Sequence, residues 1–200
     1  MFLSHKPSSK LYLGRSVEEL PLQRYERGDE IVTLDSEIWQ IYRGVVQLNR
    51  VQLDGREVVV GWVTSNGVFG SLDDSLISYR AVALGDVYAR RYTAQDIIKY
   101  PQLGQQFLSQ FSDRLLKAQQ LLAIIAIRKV EDRLKNLLLL MKQEIGQPVS
   151  DGVRLQVRFT HQHLAEAINT TRVTVTRTLG DFQRQELVYI DREKHIVIKS

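Results

Sequence analysis

The chain has 200 residues, of which 44% are hydrophobic, and a formal net charge of +4 with a pI near 9.3. These values predict a folded protein with a buried core and suit a polyanionic partner. Cysteine is absent, which excludes disulfides, thiolate metal sites and cysteine nucleophiles. No run approaches the roughly 18 apolar residues of a membrane helix, and residues 1–10 lack an apolar signal region, so we expect a cytoplasmic protein with no membrane partner.

The first half of the chain predicts an antiparallel β domain. From Leu22 to Tyr92, short runs rich in Val, Ile, Tyr and Trp alternate with turn signals. The strongest turn signal is Asp54-Gly55, because a type I′ hairpin turn requires positive φ at its central residues. The number and spacing of the runs predict a β-roll or barrel of about eight strands within residues 1–100.

A long helical pattern then opens at Pro101. Six of its apolar residues recur at alternating spacings of three and four, which is the heptad pattern of paired helices. They are Leu108, Phe111, Leu115, Ala118, Leu122 and Ile125. We predict that residues 101–127 form a dimerisation helix, since a two-fold dimer is the simplest closed assembly. The alternative is that this stripe packs on the β domain of its own chain.

Residues 128–200 carry a different pattern. A second helical stretch, from Ile127 to Ile145, ends at Gly146 with Pro148 just beyond, a normal helix stop. Residues 153–159 then alternate between apolar and polar, as in a half-buried strand. Near the end, the runs LVYI and HIVIK flank residues 191–194 and predict a closing hairpin.

Between these strands lies the run from Thr160 to Asp181, THQHLAEAINTTRVTVTRTLGD. It predicts two short helices with a tight turn at Asn169 and Thr170, which is a helix-turn-helix, and the flanking strands make it a winged helix. Thr160 and Thr171 stand at N-cap positions, from which helix N-termini present amide hydrogens to phosphate. Six apolar residues are predicted to pack between the two helices. They are Leu164, Ala165, Ile168, Val173, Val175 and Leu179.

A β-roll, a long dimer helix and a C-terminal winged helix together resemble the CRP/FNR family of bacterial transcription regulators over nearly the whole chain. Within that family, TRVTVTRTLGD at 171–181, after HLAEAI, is most similar to the cyanobacterial global nitrogen regulators, a 2-oxoglutarate-responsive group. The fold class implied is α+β, with an N-terminal antiparallel β-roll of the cyclic-nucleotide-binding type. The partners implied are double-stranded DNA, a second copy of the chain and RNA polymerase.

The same resemblance assigns roles in DNA binding. Arg172 and Arg177 would reach base edges or phosphates, Val173 would touch a thymine methyl, and Thr174 would add a backbone or base contact. Phosphate contacts would come from Thr160, Gln162 and Thr171. Many family members carry an acidic residue at the position of Val173 that accepts a hydrogen bond from cytosine. Its absence favours a GTA-like half-site over that of the cyclic-AMP receptor.

The resemblance also implies a candidate effector site in the roll and on the dimer helix. Its residues are Phe69, Gly70, Ser71, Leu72, Arg80, Arg114 and Gln119. Cyclic-AMP binders carry a Gly-Glu pair where this chain has Gly70-Ser71, which disfavours cyclic AMP. In the 2-oxoglutarate binders an arginine lies near the position of Ile77 or Ser78, and a glutamate at that of Gln119. Arg114 is retained, and Arg80 is either a substitute for the missing arginine or, as we favour, a surface residue. The acids of the loop, Asp73 and Asp74, oppose an anion.

The effector therefore stays open between 2-oxoglutarate, another ligand and none. Catalysis finds no support, because no Gly-rich phosphate loop and no Ser-His-Asp spacing is present, so neither an enzyme nor a cofactor is expected. His161 and His163 lack further metal ligands and are interpreted as solvated. Trp39 and Trp62 are predicted to be core or interface residues. A partner-docking module, in which the β-roll does the work, is the alternative from another functional class.

Overall fold

The computed structural model describes residues 20–34, 36–52, 55, 57–71 and 79–199. Several residues of the sequence predictions lie outside these ranges. They are residues 1–10, Asp54 of the predicted turn, and Leu72, Asp73, Asp74, Ile77 and Ser78. Within the described ranges of the N-terminal half there are eight strands: β1 (Leu22–Tyr25), β2 (Glu30–Ile31), β3 (Glu37–Arg43), β4 (Val46–Val51), β5 (Glu57–Val63), β6 (Val68–Ser71), β7 (Tyr79–Ala83) and β8 (Val87–Thr93).

These strands form two antiparallel sheets, with orders β1-β8-β3-β6 and β2-β7-β4-β5. One apolar cluster takes side chains from both sheets, including Trp39, Phe69 and Ala81. Alternate residues of a strand face opposite sides, so each strand contributes every second residue to this core. The predicted β-roll is confirmed, and β4 and β5 pair as the predicted hairpin, in which Gly55 has φ +82°.

Three helices follow the roll: α1 (Ala94–Lys99), α2 (Pro101–Ile125) and α3 (Val130–Ile145). Pro101 opens α2 as predicted, since proline needs no donor at the first helical position. The second helical stretch was predicted from Ile127, but the chain bends between α2 and α3. The backbone of Lys129 is extended, so α3 begins at the next residue. No helix in the described ranges is long and apolar enough to cross a membrane.

The C-terminal part contains β9 (Gly146–Val149), β10 (Gly152–Leu155), α4 (His161–Ala167), α5 (Arg172–Arg184), β11 (Val188–Ile190) and β12 (Ile196–Lys199). The sheet order is β11-β12-β10-β9. The predicted winged helix-turn-helix and its closing hairpin are confirmed. The strand predicted over residues 153–159 ends at Leu155, because Val157 and Phe159 turn inward from a loop and are buried. Strand β9 was not predicted. It holds Pro148, which an edge strand tolerates.

The largest apolar cluster joins the roll to the winged helix. It contains side chains of α2, α3 and the winged helix together with Val45, Val59 and Leu84 of the roll. The rings of Trp62 and Phe159 meet edge to face, with their centroids 6.1 Å apart. Trp62 is therefore an interface residue, and Trp39, 3% exposed, is a core residue, as predicted. The winged helix rests on the roll as well as on α2.

Candidate nucleic-acid interface

Helix α5 has two distinct faces. Its buried face consists of Val175, Thr178, Leu179 and Phe182. The opposite face leaves Arg172 and Arg177 exposed, and Val173 is 78% exposed. Val173 was predicted to pack between the helices, and this is wrong. It stands two residues from Val175, about 200° around the helix axis, and therefore points away from the core.

Both predicted N-caps of the helix-turn-helix are confirmed. Thr160 Oγ1 accepts a hydrogen bond from the backbone N–H of His163 at 3.1 Å, and Thr171 Oγ1 accepts one from that of Thr174 at 3.1 Å. Asn169 provides the turn with φ 50°, in the left-handed region that asparagine tolerates. These local bonds satisfy backbone N–H groups in the first turns of α4 and α5.

An open cleft lies where α4 and α5 begin. Thr160, His161 and Gln162 line it from the α4 side and Arg172 from α5, and its volume is about 470 Å³. The structure thus brings three of the predicted DNA-binding residues together at one surface. Gln162 Nε2 also donates to Glu166 Oε1 at 2.7 Å. Thr171 and Thr174 lie further along the same surface, with their hydroxyl oxygens 2.9 Å apart.

Two histidines of α4 are more engaged than the sequence suggested. His161 Nδ1 lies 2.8 Å from Thr176 Oγ1 on α5, and burial, with a smaller effect of Arg172, lowers the pKa of His161. Burial also lowers the pKa of His163, whose ring meets that of Phe159 at 6.5 Å. Their interpretation as solvated side chains is corrected, because α5 and the loop before α4 pack against them. In the described part of the chain, no three His, Cys, Asp or Glu residues are grouped to hold a metal ion.

The candidate effector residues of the roll have structural roles. Phe69 is fully buried in the roll core. Gly70 has φ +109°, and a Cβ there would collide with the backbone carbonyl of Glu37 on β3, so this close approach requires glycine. Ser71 ends β6, paired in register with Glu37.

Arg80 lies on the face of β7 opposite Ala81, which points into the roll core. Its Nε donates to Glu30 at 3.1 Å and its Nη1 to Glu57 at 2.5 Å. Arg114 lies instead in clefts between β5 and α2, beside Trp62, and Gln119 is exposed on α2. The structure does not bring Arg80 to the clefts that Arg114 lines.

Helix α2 packs on its own chain with a face other than the predicted seam. The buried residues are Leu103, Phe107, Leu121 and Ile124. The heptad leucines are exposed: Leu108 by 70%, Leu115 by 60% and Leu122 by 68%. Ala118 is exposed as well, whereas Phe111 and Ile125 are partly buried. The exposure of these three leucines contradicts the alternative that the stripe packs on the β domain of its own chain.

Comparisons with known proteins agree with this architecture. Residues 132–200 match the model of the Crp-like helix-turn-helix domain. The chain is 32% identical over 196 residues to the "Global nitrogen regulator" of Synechococcus elongatus, covering 91% of this chain and 87% of that protein. The chain belongs to the CRP/FNR family. This CRP/FNR protein is also 33% identical over 168 residues to the "Global nitrogen regulator" of Synechocystis, with 78% and 74% of the two chains covered.

The fold of the CRP/FNR protein is shared by solved structures. A transcriptional regulator of the CRP/FNR family from Thermus thermophilus superimposes with a TM-score of 0.72 at 21% identity, covering 90% of this chain and 94% of that one. The predicted family is confirmed, and the protein is a DNA-binding transcription regulator with α5 as the second helix of its helix-turn-helix. In helix-turn-helix proteins the second helix lies in the major groove of the DNA.

Proposed function

We propose that this CRP/FNR protein acts as a homodimer that recognises a near-palindromic operator with GTA-like half-sites and binds it without a small-molecule effector. The observation that carries the proposal is the outer face of α5. There Arg172 and Val173 are exposed side by side at the start of the helix, with Arg177 farther along. This position is the one that contacts base edges in helix-turn-helix proteins.

The chemistry of these side chains fits a GTA-like sequence. A guanidinium presents two donors to guanine O6 and N7, a pairing worth roughly 1–3 kcal/mol of discrimination, and valine offers apolar contact to the thymine methyl. The first turn of α5 has no acidic side chain to accept a hydrogen bond from cytosine. Arg172 is therefore assigned to guanine and Val173 to thymine, with Thr174 and Arg177 beside them on backbone or bases.

Phosphate contacts are assigned to Thr160, Gln162 and Thr171. Thr160 and Gln162 line the cleft beside Arg172, and Thr171 precedes α5 as its N-cap. Contacts of this kind fix the register of a protein on the duplex and carry no sequence information. Their loss weakens binding to every duplex alike, whereas loss of the Arg172 contact changes which base pair is preferred.

The homodimer is proposed from the exposed leucines of α2. Leu108, Leu115 and Leu122 are seven residues apart and form a stripe that its own roll does not cover. A stripe of this period pairs with a second copy of itself. Two-fold symmetry then places the two α5 helices on half-sites about 34 Å apart, one turn of duplex DNA.

Effector independence is proposed from the placement of Arg80, which Glu30 and Glu57 hold on the outer face of the roll. Control by 2-oxoglutarate is the second candidate, and the similarity to global nitrogen regulators speaks for it. The observation in its favour is that Arg114 and Lys117 line the clefts between β5 and α2, where Lys117 also pairs with Glu144. RNA polymerase is proposed as a further partner on the family resemblance alone.

The test is fluorescence anisotropy with a GTA…TAC palindrome and a scrambled duplex, each with and without 2-oxoglutarate and cyclic AMP. Preference for the palindrome, unchanged by either ligand, is the expected result. Tightening by 2-oxoglutarate would establish the second candidate, and equal affinity for both duplexes would refute the half-site. Binding must also weaken steeply with salt, because phosphate contacts release counterions. A partner-docking module would bind neither duplex at any salt concentration.

A further inference from the structure

His161 is the first residue of α4 and connects this helix to α5. Its Nδ1 lies 2.8 Å from Thr176 Oγ1, and the same hydroxyl donates to the backbone carbonyl of Arg172 at 2.9 Å. The hydroxyl of threonine has one hydrogen and can accept through its lone pairs. With that hydrogen directed at the carbonyl of Arg172, Nδ1 of His161 is assigned as the donor to Thr176 and so as the protonated nitrogen.

This assignment leaves Nε2 as the basic atom of the His161 ring. A neutral imidazole with a proton on Nδ1 accepts at Nε2, and uptake of a second proton turns Nε2 into a charged donor. The bond to Thr176 is the same in both states, so the ring keeps its position while its charge changes.

The surroundings of the ring favour an anion. His161 lines the open cleft with Thr160, Gln162 and Arg172, and none of these lining residues is a carboxylate. In a helix-turn-helix complex the first helix crosses the DNA backbone while the second enters the major groove. The cleft lies where these two helices begin and is therefore placed against the phosphates that flank the bases contacted by α5.

We propose that His161 is a phosphate-binding residue that takes up a proton when duplex DNA occupies this cleft, so that DNA affinity rises as the pH falls. This inference rests on the proposed DNA-binding surface and adds a residue and a proton to it. A phosphate near the ring stabilises the imidazolium and also offsets the positive charge of Arg172. Each further phosphate contact by a cation strengthens binding to any sequence.

The surroundings of His161 disfavour its charged form in the free protein. Burial is the larger cause and Arg172, which faces His161 from α5, is the smaller one, and both lower the pKa of His161. On α4, His163 and Glu166 line an adjoining cleft toward the roll with Glu57 and Arg80. This cleft shares Thr160 and Gln162 with the cleft of His161, and Glu166 accepts a hydrogen bond from Gln162. With the pKa low in the free protein and raised in the complex, the extra affinity is complete below the free pKa. It is lost as the pH rises through the pKa of the complex.

The experiment measures the affinity of the full-length protein for the GTA…TAC palindrome and the scrambled duplex from about pH 8.5 to about pH 5.5, a range that spans the titration of histidine. A rise in pKa by one unit on binding corresponds to about a tenfold gain in affinity at low pH. One extra phosphate contact also steepens the dependence of log affinity on log salt by about 0.9. The gain in affinity at low pH and the steeper salt dependence are both expected on the palindrome and on the scrambled duplex.

Two substitutions identify the residue. His161→Gln should lose the gain at low pH, and His161→Lys should show the steeper salt dependence at every pH with no gain on acidification. The matched control is His163→Gln, which removes the neighbouring histidine but keeps a residue suited to the third position of the capping box. It should retain the pH dependence. Nitrogen-15 NMR of the free protein should find the proton of neutral His161 on Nδ1.

The outcomes separate this inference from the proposed function. Persistence of the full pH dependence in His161→Gln, or its absence from the wild-type protein, overturns the role of His161 and leaves the DNA-binding surface intact. Equal affinity for the two duplexes refutes the GTA half-site alone, since phosphate contacts are not specific for sequence. Failure to bind either duplex at any pH refutes both proposals.

Discussion

Leu115 provides the sharpest test of the homodimer. Its side chain lies at the centre of the exposed stripe, between Leu108 and Leu122, and is 60% exposed. In a two-fold paired helix each such residue inserts among side chains of the partner helix. We expect Leu115→Asp to yield monomers and to abolish operator binding, because two half-sites then no longer bind as a unit.

The size of the effect follows from the exposed surface of the leucine. Full burial of a leucine side chain is worth about 1.5–3 kcal/mol. Covering the 60% that Leu115 exposes therefore contributes about 1–2 kcal/mol per protomer. Both protomers contribute, so Leu115→Ala should weaken the dimer by about 2–4 kcal/mol, or about 30- to 700-fold in its dissociation constant. The aspartate variant loses more, since two carboxylates then approach across the axis.

Sedimentation equilibrium over a range of protein concentrations measures this dissociation constant. The matched control is Leu116→Asp, because Leu116 is 59% exposed and adjacent on the same helix but outside the heptad stripe. The control should remain dimeric and bind the operator. A tight dimer in Leu115→Asp would show that the copies pair elsewhere, and equal dissociation by both variants would show that any charge on α2 disrupts assembly.

Three other substitutions test the recognition face, the interface between roll and winged helix, and the effector segment. Arg172→Ala should weaken the free energy of binding to the palindrome by roughly 1–3 kcal/mol and relax the preference at one base pair. Competition with base-substituted duplexes measures both effects, and a uniform loss of affinity for all duplexes would contradict base recognition. Phe159→Ala should lower the free energy of unfolding in urea by about 3–5 kcal/mol, and an unchanged stability would argue against its packing on Trp62. Gly70→Ala should destabilise the roll by more than about 1 kcal/mol in the same assay, since φ is positive and the Glu37 carbonyl leaves no room; a stability equal to wild type would disprove that requirement.

Local sequence signals predicted most elements of the fold because those elements have local causes. Pro101 opens α2, and the run of strand residues before it forms the eight strands of the roll. The failures occur where tertiary packing overrides a local pattern. Gly146 and Pro148 correctly predicted the end of the helix, but strand β9 was missed because the edge of a sheet accommodates Pro148. Val157 and Phe159 alternate as in a strand but are buried from a loop, because α4 and the roll lie over them.

The candidate site was predictable in most of its helical face, with Val173 wrongly assigned to the core, but not in its contacts. Helical periodicity alone separates Arg172 and Arg177 from the buried Val175. The bond between His161 and Thr176 depends on the angle between α4 and α5, which no spacing along the chain encodes. Arg80 is the surface residue that the sequence favoured, but its ion pairs with Glu30 and Glu57 depend on the register of β2 and β5 relative to β7, which the sequence did not predict.

In the proposed homodimer, the shared core between roll and winged helix bears on how the two half-sites are reached. A seam on α2 alone would fix only the helices that carry it, and the bend between α2 and α3 would leave each winged helix free to turn. The contact of Trp62 with Phe159 and the hydrogen bond from Arg27 to the Arg158 carbonyl, 2.9 Å long, attach the segment before α4 to the roll of the same chain. The position of each α5 is therefore set both by α2 and by the contact of its winged helix with the roll. A substitution at Trp62 should change the affinity for paired half-sites more than for a single one, because it alters their spacing and leaves the recognition face intact.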